Sequence, residues 1–480
     1  MVTNKRVLAT AAVLLGGASL ALGDVATAAE ASAPSPSQAA ALASTWLSTE
    51  SVDGIFRYAG FPDWGFTADV ALGHASAGQG TSHGGATLEA LRANAVAMTN
   101  VGSTPVSAAG TAKLALVAAV YGQDPTDFGG VNLVTTLNSL MVTSGDNAGL
   151  YSDSANPTPA FPNSFTQSYA LTAAARIGAG NEAAVAYLLA QQCPDGGFRL
   201  EASGTPCTDS TTSDVDSTAL AVQALEAASL AGFGDGPTVA RSIDAGSAYL
   251  VMNQNADGSF SSSGEWGMKN TNTTGLAAQA LRATGAIASA DLASAYLRSQ
   301  QLLCEVGEVA RGGFAFSEDD LAAARAALAL PVGNEDSYRR ATAQVILGLG
   351  GPSLAILSSD DRAPEGQPVT CETATTTTST STSTSAAPTT VVDASSTTAP
   401  SSNASTTDAP QATTVLTATT TPGAVVAGIS DAQAVSGTQR GSSLAATGGS
   451  SAPLTAFALA LAAIGAVALA GSLRLRAKSN

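Results

Sequence analysis

An Asp-Gly-x-aromatic segment recurs along this chain with helix-forming sequence on both sides, and that alternation restricts the fold more than any other feature. In the clearest copies Ala186-Tyr187-Leu188-Leu189-Ala190-Gln191-Gln192 leads to Asp195-Gly196-Gly197-Phe198, and Ala248-Tyr249-Leu250-Val251-Met252-Asn253-Gln254 leads to Asp257-Gly258-Ser259-Phe260. A divergent copy runs Trp46-Leu47 then Asp53-Gly54-Ile55-Phe56; partial ones are Asp146 to Tyr151, and Tyr296-Leu297 followed by Gly312-Gly313-Phe314. Ala/Leu-rich runs ending at glycine complete the pattern: Leu72 to Gly78, Leu116 to Gly122, Leu171 to Gly178, Ala219 to Gly232, Leu276 to Gly285 and Val345 to Gly350. Apolar spacings such as Leu220, Val222, Ala224 and Leu225 fit a broad helical face better than strand alternation.

Six two-helix units in tandem make either an open solenoid or a closed ring. The second helix of each unit is so apolar that it must be covered on both sides, and neither end carries a polar capping repeat, so closure is expected. The fold class is all-α: an (α/α)6 toroid of six hairpins over residues 35–351, with twelve principal helices. Glycine supplies the tight turn between outer and inner helix, and the aromatic wedges between hairpins.

With its preceding glutamine, as in Gln191-x4-Gly196-x-Phe198, this segment resembles the QW-type repeat of the prenyltransferase and squalene-cyclase superfamily, which implies the α/α toroid. Asn253 replaces glutamine in the next copy and Phe replaces Trp in both. Asp214-Val215-Asp216-Ser217 is similar to the DxDD motif of class II terpene cyclases. By that likeness Asp216 is a candidate proton donor and Asp214 its companion, although Ser217 stands where the last acid would be.

If the inner helices run parallel around a ring, their N-termini gather at one mouth, where free N–H groups favour polar ligand groups. Thr67 and Asp69, Ser164 and Thr166, Asp214 and Asp216, Asn270 and Asn272, and Asp336 and Ser337 fall there; they are helix caps or a binding site. Trp64 and Trp266 precede the first and fifth inner helices, placed either to stack on a planar ligand or to pack between hairpins. The ligand-binding candidates are therefore Trp64, Asp69, Asp214, Asp216, Trp266, Asn270 and Asp336. His74 and His83 flank a glycine-containing stretch and are expected to be solvated, and no metal set is formed.

Acidic residues outnumber basic ones by 37 to 20, a net charge of -17, which excludes nucleic acid as a partner. The four cysteines include no CxxC and no neighbouring His, so a zinc centre is not expected. Cys193 and Cys207 flank one link; Cys304 follows an outer helix and Cys371 the last inner one. The expected disulfides are Cys193 to Cys207 and Cys304 to Cys371, out of three possible pairings.

The ends speak of export. Lys5 and Arg6, the apolar run Val7 to Leu22 and Ala26-Thr27-Ala28 describe a secretory signal peptide over residues 1–28. Residues 372–443, rich in Ser, Thr and Pro, should form a disordered stalk. Residues 444–480 hold Leu444-Ala445-Ala446-Thr447-Gly448, an apolar run over 454–473 long enough to span a bilayer, and a basic tail. This arrangement resembles a Gram-positive cell-wall sorting signal in the LAxTG form used by class E sortases. The resemblance implies cleavage after Thr447 and transfer to peptidoglycan, with sortase, cell wall and membrane as partners; a plain single-span anchor is the alternative.

The function expected is that of a secreted, cell-surface toroid binding a small molecule or glycan at the inner-helix mouth without turnover. Its nearest analogue is the transcobalamin and intrinsic-factor type, which makes a corrinoid a candidate ligand although no cobalt-coordinating His is identifiable. No cofactor is otherwise expected. The alternatives are a polysaccharide-active enzyme using paired Asp among Asp69, Asp214, Asp216 and Asp336, a terpene-cyclase-like enzyme using Asp216, and a display protein without a pocket.

Overall fold

The computed structural model describes residues 33–154, 162–263, 267–366 and 369–371. The chain divides into two units, Met1–Cys371 with Ser442–Asn480, and Glu372–Gly441. Every described residue belongs to the first. The expected signal peptide, stalk, sorting motif and membrane span, together with Trp266, lie outside the described residues.

Fourteen helices follow one another among the described residues: α1 (Pro36–Glu50), α2 (Trp64–Ser76), α3 (Gly85–Ala93), α4 (Ala95–Thr99), α5 (Ala108–Val120), α6 (Leu133–Ser139), α7 (Ser164–Arg176), α8 (Glu182–Leu189), α9 (Val215–Leu230), α10 (Gly236–Met252), α11 (Thr271–Ala283), α12 (Ile287–Ser299), α13 (Glu318–Ala327) and α14 (Glu335–Gly348). Three two-stranded hairpins decorate the links: β1 (Arg57–Tyr58) with β2 (Phe61–Pro62), β3 (Phe198–Arg199) with β4 (Ser213–Asp214), and β5 (Phe260–Ser261) with β6 (Lys269–Asn270).

The inner layer is closed. α2 packs on α5, α5 on α7, α7 on α9, α9 on α11, α11 on α14, and α14 returns to α2. Around it α1 bridges α14 and α2, α6 bridges α5 and α7, α8 bridges α7 and α9, α10 bridges α9 and α11, and α12 bridges α11 and α14; α3 and α4 together cover α2 and α5. The open solenoid is thereby excluded, and all six Ala/Leu-rich runs fall on inner helices. Two details exceed the expected twelve helices. The second outer helix is broken at Asn94 into α3 and α4, and α13 is inserted in the last link.

The repeated chemistry now has a structural reason. In four units the link phenylalanine donates its backbone N–H to a threonine hydroxyl on the inner helix: Phe56 to Thr67 (3.2 Å), Phe198 to Thr218 (2.8 Å), Phe260 to Thr274 (2.9 Å) and Phe314 to Thr342 (2.8 Å). Each hydroxyl donates in turn to the carbonyl four residues earlier, that of Asp63, Asp214, Asn270 and Tyr338 respectively. The aromatic rings are 0–2 % exposed, so each wedge is locked by a satisfied polar pair. The link glycines do more than turn. A Cβ on Gly54, Gly149, Gly196 or Gly258 would stand inside a backbone carbonyl of the next outer helix, and one on Gly312 would meet that of Leu42 in α1, which closes the circle.

One end of the ring is stopped by the chain itself. After α14, residues 351–366 run as a strap across the C-terminal ends of the inner helices. Gln279 donates to the Pro352 carbonyl (2.8 Å), Leu354 N–H donates to Gln223 Oε1 (3.0 Å), and the Arg176 guanidinium donates to the Leu354 and Leu357 carbonyls (both 2.6 Å). Ser359 N–H then reaches the Val120 carbonyl (3.0 Å) and Arg362 N–H that of Gly78 (2.7 Å), and Glu365 ends on Ser35 and Ser37 at the start of α1. Disulfides join Cys193 to Cys207 and Cys304 to Cys371, with no free cysteine among the described residues. Such bonds are those expected of an oxidising, extracellular compartment.

Candidate functional site

The opposite mouth is built from the helix N-termini. Asp63, Ser107, Asn163, Asp214 and Asn270 cap α2, α5, α7, α9 and α11, each side chain accepting a backbone N–H three residues on. In α14 the phenylalanine-to-threonine bond places Tyr338 at the equivalent position, one turn inside the helix. Of the residues expected to be caps, only Asp214 and Asn270 are; Thr67, Asp69, Ser164, Thr166, Asp216, Asn272, Asp336 and Ser337 are not, because for α2 and α7 the cap lies at Asp63 and Asn163.

Counting from these caps sorts the inward side chains into two layers. Two residues on stand Gly65, Ala109, Phe165, Asp216, Asn272 and Arg340; six residues on stand Asp69, Lys113, Tyr169, Leu220, Leu276 and Gln344. The outer layer is polar on α9, α11 and α14 and small or apolar on α2, α5 and α7. In the deeper layer α2, α5 and α7 carry the polar groups while α9 and α11 present leucine. Asp69 and Tyr169 keep accessible surface on the inner helices, 19 % for the Asp69 side chain, as groups lining a central hollow do. Trp64, Arg340 and Gln344 are also half-buried.

Charges in the hollow are matched locally. Lys113 Nζ lies 2.7 Å from Asp69 and 5.3 Å over the Tyr169 ring. Arg340 bonds Asp63 and Asp336 (both 2.6 Å) and stacks on Phe66 and Tyr58. Burial raises the Asp69 carboxyl pKa above the usual range, against the pull of Lys113. Burial, then the neighbouring Asp69 and Asp216, raise the Tyr169 phenol well above its ordinary value.

Asp216 differs from the other carboxylates. It is 3 % exposed, its Oδ2 receives a 3.3 Å bond from Thr273, and its Oδ1 has no hydrogen-bond partner. Burial, reinforced by the charge of Asp214, holds its pKa well above the usual range. Asn272 Oδ1 and Gln344 Oε1 are likewise buried and unpartnered. The Asp-Val-Asp segment is therefore divided in its work: Asp214 is spent as a cap, bonding Ser217 N–H at 2.7 Å, while Asp216 turns inward.

Among the other candidates, Asp69 is paired with Lys113, Asp336 with Arg340, Asn270 caps α11, and Trp64 packs partly on the core at the rim. His74 is not solvated: it is 1 % exposed and lies 2.6 Å from Ser44 Oγ, beside His83. No group of three metal-ligating side chains occurs among the described residues. Sequence reasoning missed Lys113, Tyr169, Arg340 and Gln344; a lone lysine inside Ala112-Lys113-Leu114-Ala115-Leu116 was the available signal.

No known family model matches this sequence, and no curated protein matches it. Solved structures resemble it in fold. ent-Copalyl diphosphate synthase from Streptomyces platensis aligns over 60 % of this chain at 20 % identity and TM-score 0.38, and the chain spans half of that protein's length. A variant of the type II terpene cyclase MstE from Scytonema, in complex with geranylgeranyl dihydroxybenzoate, aligns over 65 % of this chain and 96 % of its own, at 15 % identity and TM-score 0.43. A possible member of the GH105 family from Salmonella enterica serovar Paratyphi A aligns over 65 % and 92 %, at 14 % identity and TM-score 0.44.

Proposed function

We propose that this protein is a cell-surface toroid whose central hollow takes up a small molecule through the inner-helix N-terminal mouth. One observation carries the reading. The hollow is stopped at its other end by residues 351–366, and the inner helices around it hold the unpartnered atoms of Asp216 and Asn272 near the open end and that of Gln344 one turn deeper. Buried polar atoms without partners cost free energy, so a site that keeps three of them is arranged for a guest that satisfies them.

The test is binding by the purified full chain to corrinoids, wall glycans and isoprenoids, read by thermal shift and by equilibrium dialysis. A true ligand at a hundred times its Kd adds about 2.7 kcal/mol of stability, well within reach of a melting scan. Weakened binding in Trp64→Ala and in Asp216→Leu is expected; a ligand unaffected by both sits elsewhere.

Asp216 favours a second reading, acid-initiated chemistry, because a single enclosed carboxylic acid with one free oxygen suffices to protonate an alkene or an ether oxygen. Asp216→Asn would then abolish product formation and spare binding. Hydrolysis by paired carboxylates has less support, since Asp69, Asp214 and Asp336 are each engaged by a cation or a helix end.

A further inference from the structure

We infer that the far half of the strap, residues 359–366, is an acid-released latch: it staples the seam between α1 and the loop 77–84 over a buried histidine pair. The pair is the first observation. His74 of α2 and His83 of the loop both turn Nδ1 towards the Ser44 hydroxyl of α1, at 2.6 Å and 3.4 Å, with ring centroids 6.1 Å apart. His74 is 1 % exposed and Ser44 not at all, whereas His83 is half-buried. A hydroxyl has one proton, so in the neutral cluster Ser44 donates to one imidazole and accepts from the other. Protonating the accepting ring turns both into donors to a single oxygen. Protonating both sets two cations on either side of one buried hydroxyl.

The second observation is what holds the cover down. The Thr81 and Ser82 N–H groups both donate to Asp361 Oδ1 (2.9 and 3.2 Å), the Thr81 hydroxyl donates to the Ser359 carbonyl (3.2 Å), and Arg362 N–H donates to that of Gly78 (2.7 Å). Further on, Ser35 Oγ donates to the Glu365 carbonyl (2.7 Å) and Glu365 N–H to Ser37 Oγ (2.9 Å). One segment thus grips both the loop that carries His83 and the start of the helix that carries Ser44. On its other side α2 packs into the ring, where Gly73 stands against Ala343 and Ile346 of α14. Parting the seam breaks a few exposed hydrogen bonds, and parting the ring breaks its core, so water reaches His74 from the strap side.

Charge is the third. The titratable and charged groups on this side are Asp361 and Arg362 of the strap and Tyr121 of α5. Asp361 is engaged by the loop N–H groups, Arg362 donates to the Ala75 and Ser76 carbonyls, and the Tyr121 hydroxyl donates to that of Ala71. α1 and α14 offer Ser44, Ala343 and Ile346, none of them charged. The charge that acts on His74 is that of His83, and with burial it holds the His74 pKa down at about 3. An opened seam lets the ring take up a proton that the closed one refuses, so acid drives the opening.

The test is amide hydrogen exchange of the full, disulfide-bonded chain from pH 7.5 to 4.5, read by mass spectrometry and corrected for the intrinsic exchange rate. The opening constant of peptides covering 77–84 and 359–366 should rise about tenfold per unit below pH 6.5, or about a hundredfold by pH 4.5, while peptides of α9 and α11 hold steady. His74→Leu, or His74→Gln should the first variant not fold, should flatten the rise. No rise in the wild type, or one shared equally by α9 and α11, overturns the inference. So does a rise that persists in the His74 variant, and its loss in Asp361→Asn would then assign the proton to the strap carboxylate.

Discussion

Gln223 and Leu354, 131 residues apart in sequence, are joined by a 3.0 Å hydrogen bond from the Leu354 backbone to the buried Gln223 side chain. This bond ties the strap to the middle of the ring, beside those that Gln279 and Arg176 make to the Pro352, Leu354 and Leu357 carbonyls. Gln223→Leu should therefore leave a buried N–H unsatisfied and cost about 1–3 kcal/mol of stability in urea unfolding. Arg176→Met, which releases the Leu354 and Leu357 carbonyls, should cost a similar amount, and the pair should be non-additive because both hold one segment.

Ring closure rests on a glycine. Gly312 has φ 104° and no room for a Cβ against Leu42 of α1, whereas Gly60, with φ 85°, meets nothing within 4 Å. Gly312→Ala should cost about 3 kcal/mol or more, from backbone strain and the parting of α1 from the last link. Gly60→Ala should cost only about 1 kcal/mol, the left-handed penalty alone. Comparable losses in denaturant midpoint would argue against a tight closing contact.

The Lys113–Asp69 pair has side chains only 4 % and 19 % exposed. Lys113→Met should destabilise the fold by about 3–5 kcal/mol at neutral pH because a carboxylate is left without its cation. The loss should shrink as the pH falls towards 4, because Asp69, whose folded-state pKa is raised, takes up its proton in the folded chain before the unfolded one does. Lys113→Met combined with Asp69→Leu should recover most of the stability, measured by the same unfolding curves.

His74 gives the molecule an acid-sensitive point. Burial, then the charge of His83, lowers its pKa from 6.5 to about 3. The unfolded chain thus binds a proton below pH 6.5 that the folded one refuses. The neutral imidazole contributes stability present above pH 6.5 and lost as the pH falls towards 3. In that window the stability of the wild type relative to His74→Leu should fall by about 1.4 kcal/mol per pH unit. Parallel pH profiles for the two proteins would contradict a neutral buried His74.

Asp216 has the opposite sign. Its folded-state pKa is raised, so its contribution is fully present below the unfolded value and is lost as the pH rises. Asp216→Asn should therefore gain stability relative to the wild type as the pH climbs from 4 to 8, as followed by thermal denaturation.

The hairpin repeat was legible because its chemistry is local: Gly196, Phe198 and Thr218 serve one link, and the same residue types return at Gly258, Phe260 and Thr274. Closure followed from the apolar inner helices. The hollow was less legible, since whether Asp216 is a cap or an inward group depends on a two-residue register fixed by the Phe198-to-Thr218 bond and the Asp214 cap. Arg340 was obscured because α14 begins a turn early. The strap has no periodicity to read, and its partners Gln223 and Gln279 look like ordinary polar residues on otherwise apolar helices. His74 reads as a loop neighbour until its helix runs through to Ser76.

The Cys304–Cys371 bond spans 67 residues and encloses α13, α14 and the whole strap within a covalent loop. Tension applied to the chain beyond Cys371 passes through sulfur to Cys304 and on along α12. The residues inside the loop are bypassed. A pull from the C-terminal side would thus load α12 while the strap stays slack, and a reductant would put the strap under strain.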